Sequence, residues 1–197
     1  MWKLPGVPSY ILSFVFVQAV NSVVVSWIVF YLSMIGMADE ARVIAVFWAL
    51  STFTGGILGT YFNPTYNPKF FIASLLLSSL LFVFLEEIHH PNEIEIVLLI
   101  VASGLSFGAP FTVMRTSIPL LLSEKRVIMM QRGSKAALIS TMEGYGMLFC
   151  GVSLLIIPSV GVLDLHWVAS AYCLLAALVL LYAEVKRIKE EYDHKRY

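Results

Sequence analysis

Charge is scarce in this chain of 197 residues: Asp, Glu, Lys and Arg together make up 13%, about half the usual share for a soluble domain. The formal net charge is zero, so no basic field is available to attract a nucleic-acid backbone. Cysteine is nearly absent. Cys150 and Cys173 both lie in apolar runs, which excludes a disulfide framework and any zinc-ligand spacing. There is no Asn-x-Ser/Thr glycosylation site and no room for a soluble domain between the apolar stretches. What is present is 59% apolar residues and a mean hydropathy of +0.83. That composition reads as an all-α integral membrane protein in contact with the bilayer.

A helix needs about 20 apolar residues to span a bilayer. The chain offers six such runs, at about 9–35, 43–62, 70–88, 94–122, 136–157 and 165–183. The first is too long for a signal-peptide core, so it is expected to stay in the membrane. Pro110 and Pro119 predict a kink in the fourth. The connections are short and carry turn residues, among them Asn63-Pro64, Asn67-Pro68, Pro91-Asn92 and Pro158 with Gly161. The chain thus divides into a six-helix domain over 1–183 and a charged tail over 184–197, read as a solvated extension of the last helix. Its interspersed Glu residues weaken any pull toward anionic lipid head groups.

Lys and Arg placement orients the spans. Eleven basic residues fall on one side: Lys3, Lys69, Lys125, Arg126, Arg132, Lys135, Lys186, Arg187, Lys189, Lys195 and Arg196. Arg42 falls on the other, and Arg115 lies within a span. This asymmetry predicts an even number of spans with both termini on the basic side. The third loop, with Glu86, Glu87, Glu93 and Glu95, lies opposite.

Arg115 and Glu143 are the charges that fall inside spans. A charge at bilayer depth costs at least about 2.5–3.5 kcal/mol unless it meets a partner or a polar cavity. Three readings follow: a structural ion pair between the fourth and fifth helices, a contact with a lipid head group or a neighbouring subunit, or a site that grips an anion or carries protons. Gly55-x-x-x-Gly59 and Gly104-x-x-x-Gly108 place small residues at helical spacing and predict close helix packing. Gly144, Gly146 and Gly151 extend that logic to the fifth span. Gly104-Leu105-Ser106-Phe107-Gly108 also fits the Gly-x-Ser-x-Gly pattern of hydrolases, but that motif needs a strand, a sharp turn and a helix. His89 and His90 beside Glu93 and Glu95 lack metal-ligand spacing. Nothing in the residues calls for a catalytic group, a metal or a cofactor.

Several segments resemble one known family in order along the chain. Leu4-Pro5-Gly6-Val7-Pro8-Ser9-Tyr10, Val20-Asn21 and Ser26-Trp27-Ile28-Val29-Phe30-Tyr31-Leu32 resemble the seventh helix of organic-phosphate transporters of the major facilitator superfamily. The sugar-phosphate exchangers among the solute carriers are especially similar. Gly55-Gly56-Ile57-Leu58-Gly59 resembles the glycine-rich end of the eighth helix, and Gly104 to Pro110 resembles the tenth. Gln131-Arg132-Gly133-Ser134 with Glu143-Gly144-Tyr145-Gly146 resembles the eleventh. The resemblance implies the C-terminal six-helix half of a twelve-helix transporter, whose substrate lies between two halves near the midplane. It leaves open a fragment, a separately encoded half, or a remnant put to another use.

Three departures bear on function. The Trp27–Leu32 segment lacks the proline of the family's Trp-x-Pro-x-Tyr-Leu. The loop after Gly59 lacks the family's acid and its paired base, which latch the helices during alternating access. The first helix offers Gln18, Asn21 and Ser22 where phosphate-binding relatives often hold a cation. The expected substrate-lining residues are therefore Gln18, Asn21, Ser22, Arg115, Glu143 and Tyr145. Two functions follow. One is a half-transporter inactive alone, serving as a structural or accessory subunit of a larger membrane complex, such as a respiratory assembly in the mitochondrial inner membrane. The other is the separately encoded half of an active organic-phosphate:phosphate antiporter. Neither is an enzyme, and neither takes nucleic acid as a partner.

Overall fold

A computed structural model describes residues 7–62, 67–85, 92–124, 132–160 and 164–194. Its elements are six helices: α1 (Val7–Met34), α2 (Ala41–Phe62), α3 (Pro68–Phe84), α4 (Glu93–Glu124), α5 (Arg132–Val160) and α6 (Leu165–His194). No strand occurs among the described residues. Four stretches are long and apolar enough to cross a membrane: Pro8–Met34, Ala41–Tyr61, Glu93–Arg115 and His166–Lys189. Pro68–Phe84 is a shorter apolar helix, and Ile139–Leu155 is an apolar stretch within α5. The chain is an all-α, multi-pass membrane protein.

Local chemistry sets the helix ends. Gly36 takes a left-handed φ of 91° after α1. Its N–H donates to Ser33 O and the Met37 N–H donates to Leu32 O at 2.9 Å, closing the last carbonyls of α1. Met37 and Leu32 are both buried, which supplies the hydrophobic contact of that cap. Asn67 caps α3, with its Oδ1 accepting from the Lys69 N–H at 3.1 Å, and Pro68 fills the first helical position, where its missing N–H is not needed. Asn92 caps α4 in the same way through the Ile94 N–H at 3.2 Å. Glu93 and Glu95 then sit in the first turn, where the helix dipole favours acids. α4 continues as helix through Pro110 and Pro119.

The packing is organised as two interlocked triplets. The helix contacts are α2 with α4, α3 with α6, α1 with α6, α3 with α4, α1 with α5, α1 with α2, α1 with α4 and, most slightly, α4 with α5. Exchanging α1, α2, α3 for α4, α5, α6 maps this set onto itself. Short connections make consecutive helices run in opposite directions. α1 and α4 are then antiparallel, and the exchange is that of two inverted three-helix repeats.

Hydroxyls tie the helices together inside the apolar packing. Ser78 Oγ on α3 bonds Ser106 Oγ on α4 at 2.7 Å, and Ser79 Oγ bonds Ser170 Oγ on α6 at 2.8 Å. Ser13 Oγ on α1 donates to Ala176 O on α6 at 2.9 Å. At one end of the bundle the Tyr10 hydroxyl donates to Glu184 Oε1 at 2.5 Å, and Arg187 Nε donates to Glu184 Oε2 at 2.7 Å. The start of α1 and the far part of α6 therefore lie at the same end, as an even number of crossings requires.

This node corrects the reading of 184–197 as a solvated extension from its first residue. α6 runs on to His194, and Glu184 is only 5% exposed. The reason is helical phase. Glu184 follows Ala169, Cys173, Ala176, Ala177, Leu180 and Ala183 along the buried face of α6. Residues 195–197 lie outside the described residues, as do Lys3, Lys125, Arg126 and the loop acids and histidines Glu86, Glu87, His89 and His90.

Candidate functional site

Two symmetry-related interfaces frame the site. The first is α2 on α4, where glycines let the backbones meet. A β-carbon at Gly55 would run into the Leu105 backbone, one at Gly108 into the Thr52 backbone, and one at Gly104 into the Ser51 side chain. At Gly59 it would lie 2.5 Å from Ala109 Cβ. Trp48 and Phe107 stack nearby with centroids 5.9 Å apart and close the interface with rings. Ser106 sits in the middle of this helix, its hydroxyl donating to Ser103 O and bonded to Ser78.

The second interface is α1 on α5, held by an aromatic group. Phe149 of α5 meets Phe16 of α1 at 5.4 Å and Tyr172 of α6 at 5.6 Å. Tyr172 also bonds Ser153 at 2.9 Å. Here one glycine makes a close approach: Gly146, whose β-carbon would lie 3.1 Å from Gln18 Cγ. Gly144 and Gly151 face open space, with nothing within 4 Å of a β-carbon. The expectation that they extend the packing motif is therefore corrected. Gly144 and Gly146 lie two residues apart and point to different sides of α5.

Beside that interface, α4 and α5 hardly touch. A cavity of about 370 Å³ opens between them and α1, lined by Phe14, Gln18, Phe111, Thr112, Arg115, Glu143 and Met147. The Arg115 guanidinium forms an ion pair with the Glu143 carboxylate across the gap between α4 and α5. Their side chains are 58% and 37% exposed, so the pair is open to whatever fills the cavity rather than sealed in the core.

The depth of Arg115 follows from helix geometry. It lies 22 residues after Glu93, a rise of about 33 Å at 1.5 Å per residue. The hydrocarbon core is about 30 Å thick. α4 continues as helix for nine residues beyond Arg115 to Glu124, and that stretch includes Ile118, Leu120, Leu121 and Leu122. Arg115 therefore stands within the apolar run of α4, where Glu143 supplies the partner its charge needs.

Of the residues expected to line a substrate path, Gln18, Arg115 and Glu143 come together in this cavity. Ser22 is half-buried one turn further along α1 and is not among the cavity's lining residues. Asn21 is half-buried and is not among the cavity's lining residues. Tyr145 lines a separate apolar groove on the other side of the α1–α5 contact, with Ile11, Leu12, Val15, Leu148 and Val152. Phe14, Thr112 and Met147 were not legible as lining residues. The helices are apolar all round, so no polar stripe marks which face meets the gap.

A second, smaller cavity of about 20 Å³ lies toward the opposite end of the bundle. Tyr31, Trp48 and His166 contribute its polar groups, and Val24, Phe82 and Ile100 are among its apolar walls. That volume is about the space of one water molecule. Among the described residues there is no cluster of three or more His, Cys, Asp or Glu side chains. The chain matches no family model, no curated protein and no solved structure.

Proposed function

We propose that this chain is a transporter-type six-helix unit that serves as a structural or accessory subunit of a larger membrane complex and does not move solutes alone. The observation that carries the reading is the Arg115–Glu143 pair. Arg115 is the cation among the described residues lining the cavity, and its charge is already balanced by a carboxylate. An organic phosphate would have to displace Glu143 and leave that acid unpaired beside it. The inverted-repeat pattern of helix contacts supports descent from a sugar-phosphate exchanger of the major facilitator type. The missing latch charges after Gly59 and the neutral Gln18, Asn21 and Ser22 on α1 support loss of transport. Apolar side chains such as Phe30, Phe47, Phe53, Leu148 and Leu155 remain exposed, and offer surface to lipid or to neighbouring subunits. An organellar assembly such as a respiratory complex suits a subunit of this kind.

The test is reconstitution of the purified chain in liposomes with measurement of phosphate and hexose-phosphate exchange. No exchange above empty liposomes is expected, together with copurification of the chain in a large complex from its native membrane. Saturable exchange that disappears in Arg115→Ala would overturn the reading. A second reading, half of an active antiporter, is favoured by the exposure of the Arg115 guanidinium. It requires exchange to appear when a partner six-helix half is added.

A further inference from the structure

The cavity between α1, α4 and α5 has an unusual charge design. It presents one cation and one anion side by side, on helices that otherwise barely meet. Around the charges stand two neutral hydrogen-bonding groups, the Gln18 amide and the Thr112 hydroxyl, and three apolar walls, Phe14, Phe111 and Met147. A volume of about 370 Å³ is within the usual range for small-ligand pockets, roughly 300–1,000 Å³.

We propose that this cavity binds the head group of a zwitterionic aminophospholipid, with its phosphate on Arg115 and its ammonium on Glu143.

Charge complementarity selects this occupant. The Arg115–Glu143 pair sums to zero, so a ligand of zero net charge with separated poles satisfies both side chains without leaving a net charge in a low-dielectric site. An anionic phospholipid supplies the phosphate but leaves Glu143 facing a negative group. A cationic ligand makes the opposite mismatch. Thr112 and Gln18 can each donate one more hydrogen bond to phosphate oxygens. The apolar lining selects a lipid over a dissolved solute: Phe14, Phe111 and Met147 give acyl chains a surface beside the charges. Lipid bound in this way would also fill the gap that α4 and α5 leave between them. The proposal does not depend on whether the chain transports anything.

Native mass spectrometry of the full chain, exchanged into equal amounts of phosphatidylethanolamine and phosphatidylglycerol, provides the test. One phosphatidylethanolamine per chain is expected, retained about tenfold over phosphatidylglycerol. Glu143→Gln leaves Arg115 alone, and the preference should invert toward phosphatidylglycerol. Arg115→Gln should retain neither lipid. Size-exclusion and circular dichroism profiles that match the parent chain would show that both variants are folded. The inversion is the informative readout, because a purely structural ion pair predicts no change of lipid identity. Retention of phosphatidylglycerol by the parent chain, retention of no lipid, or the same preference in Glu143→Gln and the parent would each overturn the proposal. Water-soluble glycerophosphoethanolamine is expected not to displace the lipid. Full displacement by it would assign the site to a free solute instead.

Discussion

The α2–α4 and α1–α5 interfaces occupy equivalent places in the two interlocked triplets, yet they are built oppositely. Between α2 and α4, Gly55 and Gly108 bring backbone against backbone, and Gly59 and Gly104 leave room only for Ala109 and Ser51. Between α1 and α5, one glycine accommodates Gln18 while two others face open space, and a charged cavity opens alongside. A repeat can therefore keep its architecture while one copy specialises in cohesion and the other in holding something. What separates them is the phase of small residues around each helix. Spacing of four puts Gly55 and Gly59, or Gly104 and Gly108, on one face. Gly144 and Gly151, seven residues apart, share a face that meets open space, and Gly146 points elsewhere.

The largest effect should come from filling the sealed interface. Gly108→Val places a side chain where the Thr52 backbone lies, and neither helix can yield locally. Overpacking of this kind costs about 1–3 kcal/mol or more. Thermal unfolding in detergent should show a pronounced drop or no folded protein, and a near-parental curve would refute the backbone contact. The node joining α1 and α6 should come next. Tyr10→Phe removes a hydrogen bond to buried Glu184, an interaction of about 1.5–3 kcal/mol for a charged acceptor. Limited proteolysis of α6 beyond Glu184 should accelerate in that variant, while unchanged cleavage would argue against the bond.

On the open side the sign should reverse. Gly144→Ala fills space and gains helix propensity of up to about 1 kcal/mol. Its unfolding midpoint should hold or rise, and a clear fall would show that the position is occupied after all. The smallest effect is expected for the charges themselves. A double-mutant cycle on Arg115→Ala and Glu143→Ala should give a coupling of about 0–1 kcal/mol, as half-exposed pairs do. A coupling several times larger would mean that the pair, and not the aromatic group of Phe16, Phe149 and Tyr172, holds α5 in place.

These outcomes bear on what the sequence can express. The six helices were legible because apolar runs of 17 residues or more have few alternatives in a bilayer. Arg115 and Glu143 stood out because charges are so rare within the spans. Their neighbours did not stand out. Phe14, Thr112 and Met147 carry no mark that separates cavity from lipid, since both environments accept apolar and hydroxyl side chains. Glu184 misled for the opposite reason. It stands at the head of a charged segment, and only the rotation of α6 against Tyr10, 174 residues away, reveals that it is buried.

The third helix has a consequence for the surrounding lipid. Pro68–Phe84 is 17 residues long, which gives about 25 Å of rise against a hydrocarbon core of about 30 Å. α3 packs on α4 and α6, helices of 32 and 30 residues. One flank of the bundle is thus several ångströms shorter than its neighbours. Lipid there must thin or tilt to meet it, at a fraction of a kcal/mol for each ångström of mismatch. A flank of this length is expected to favour thin bilayers and neighbours whose own hydrophobic belts are equally short.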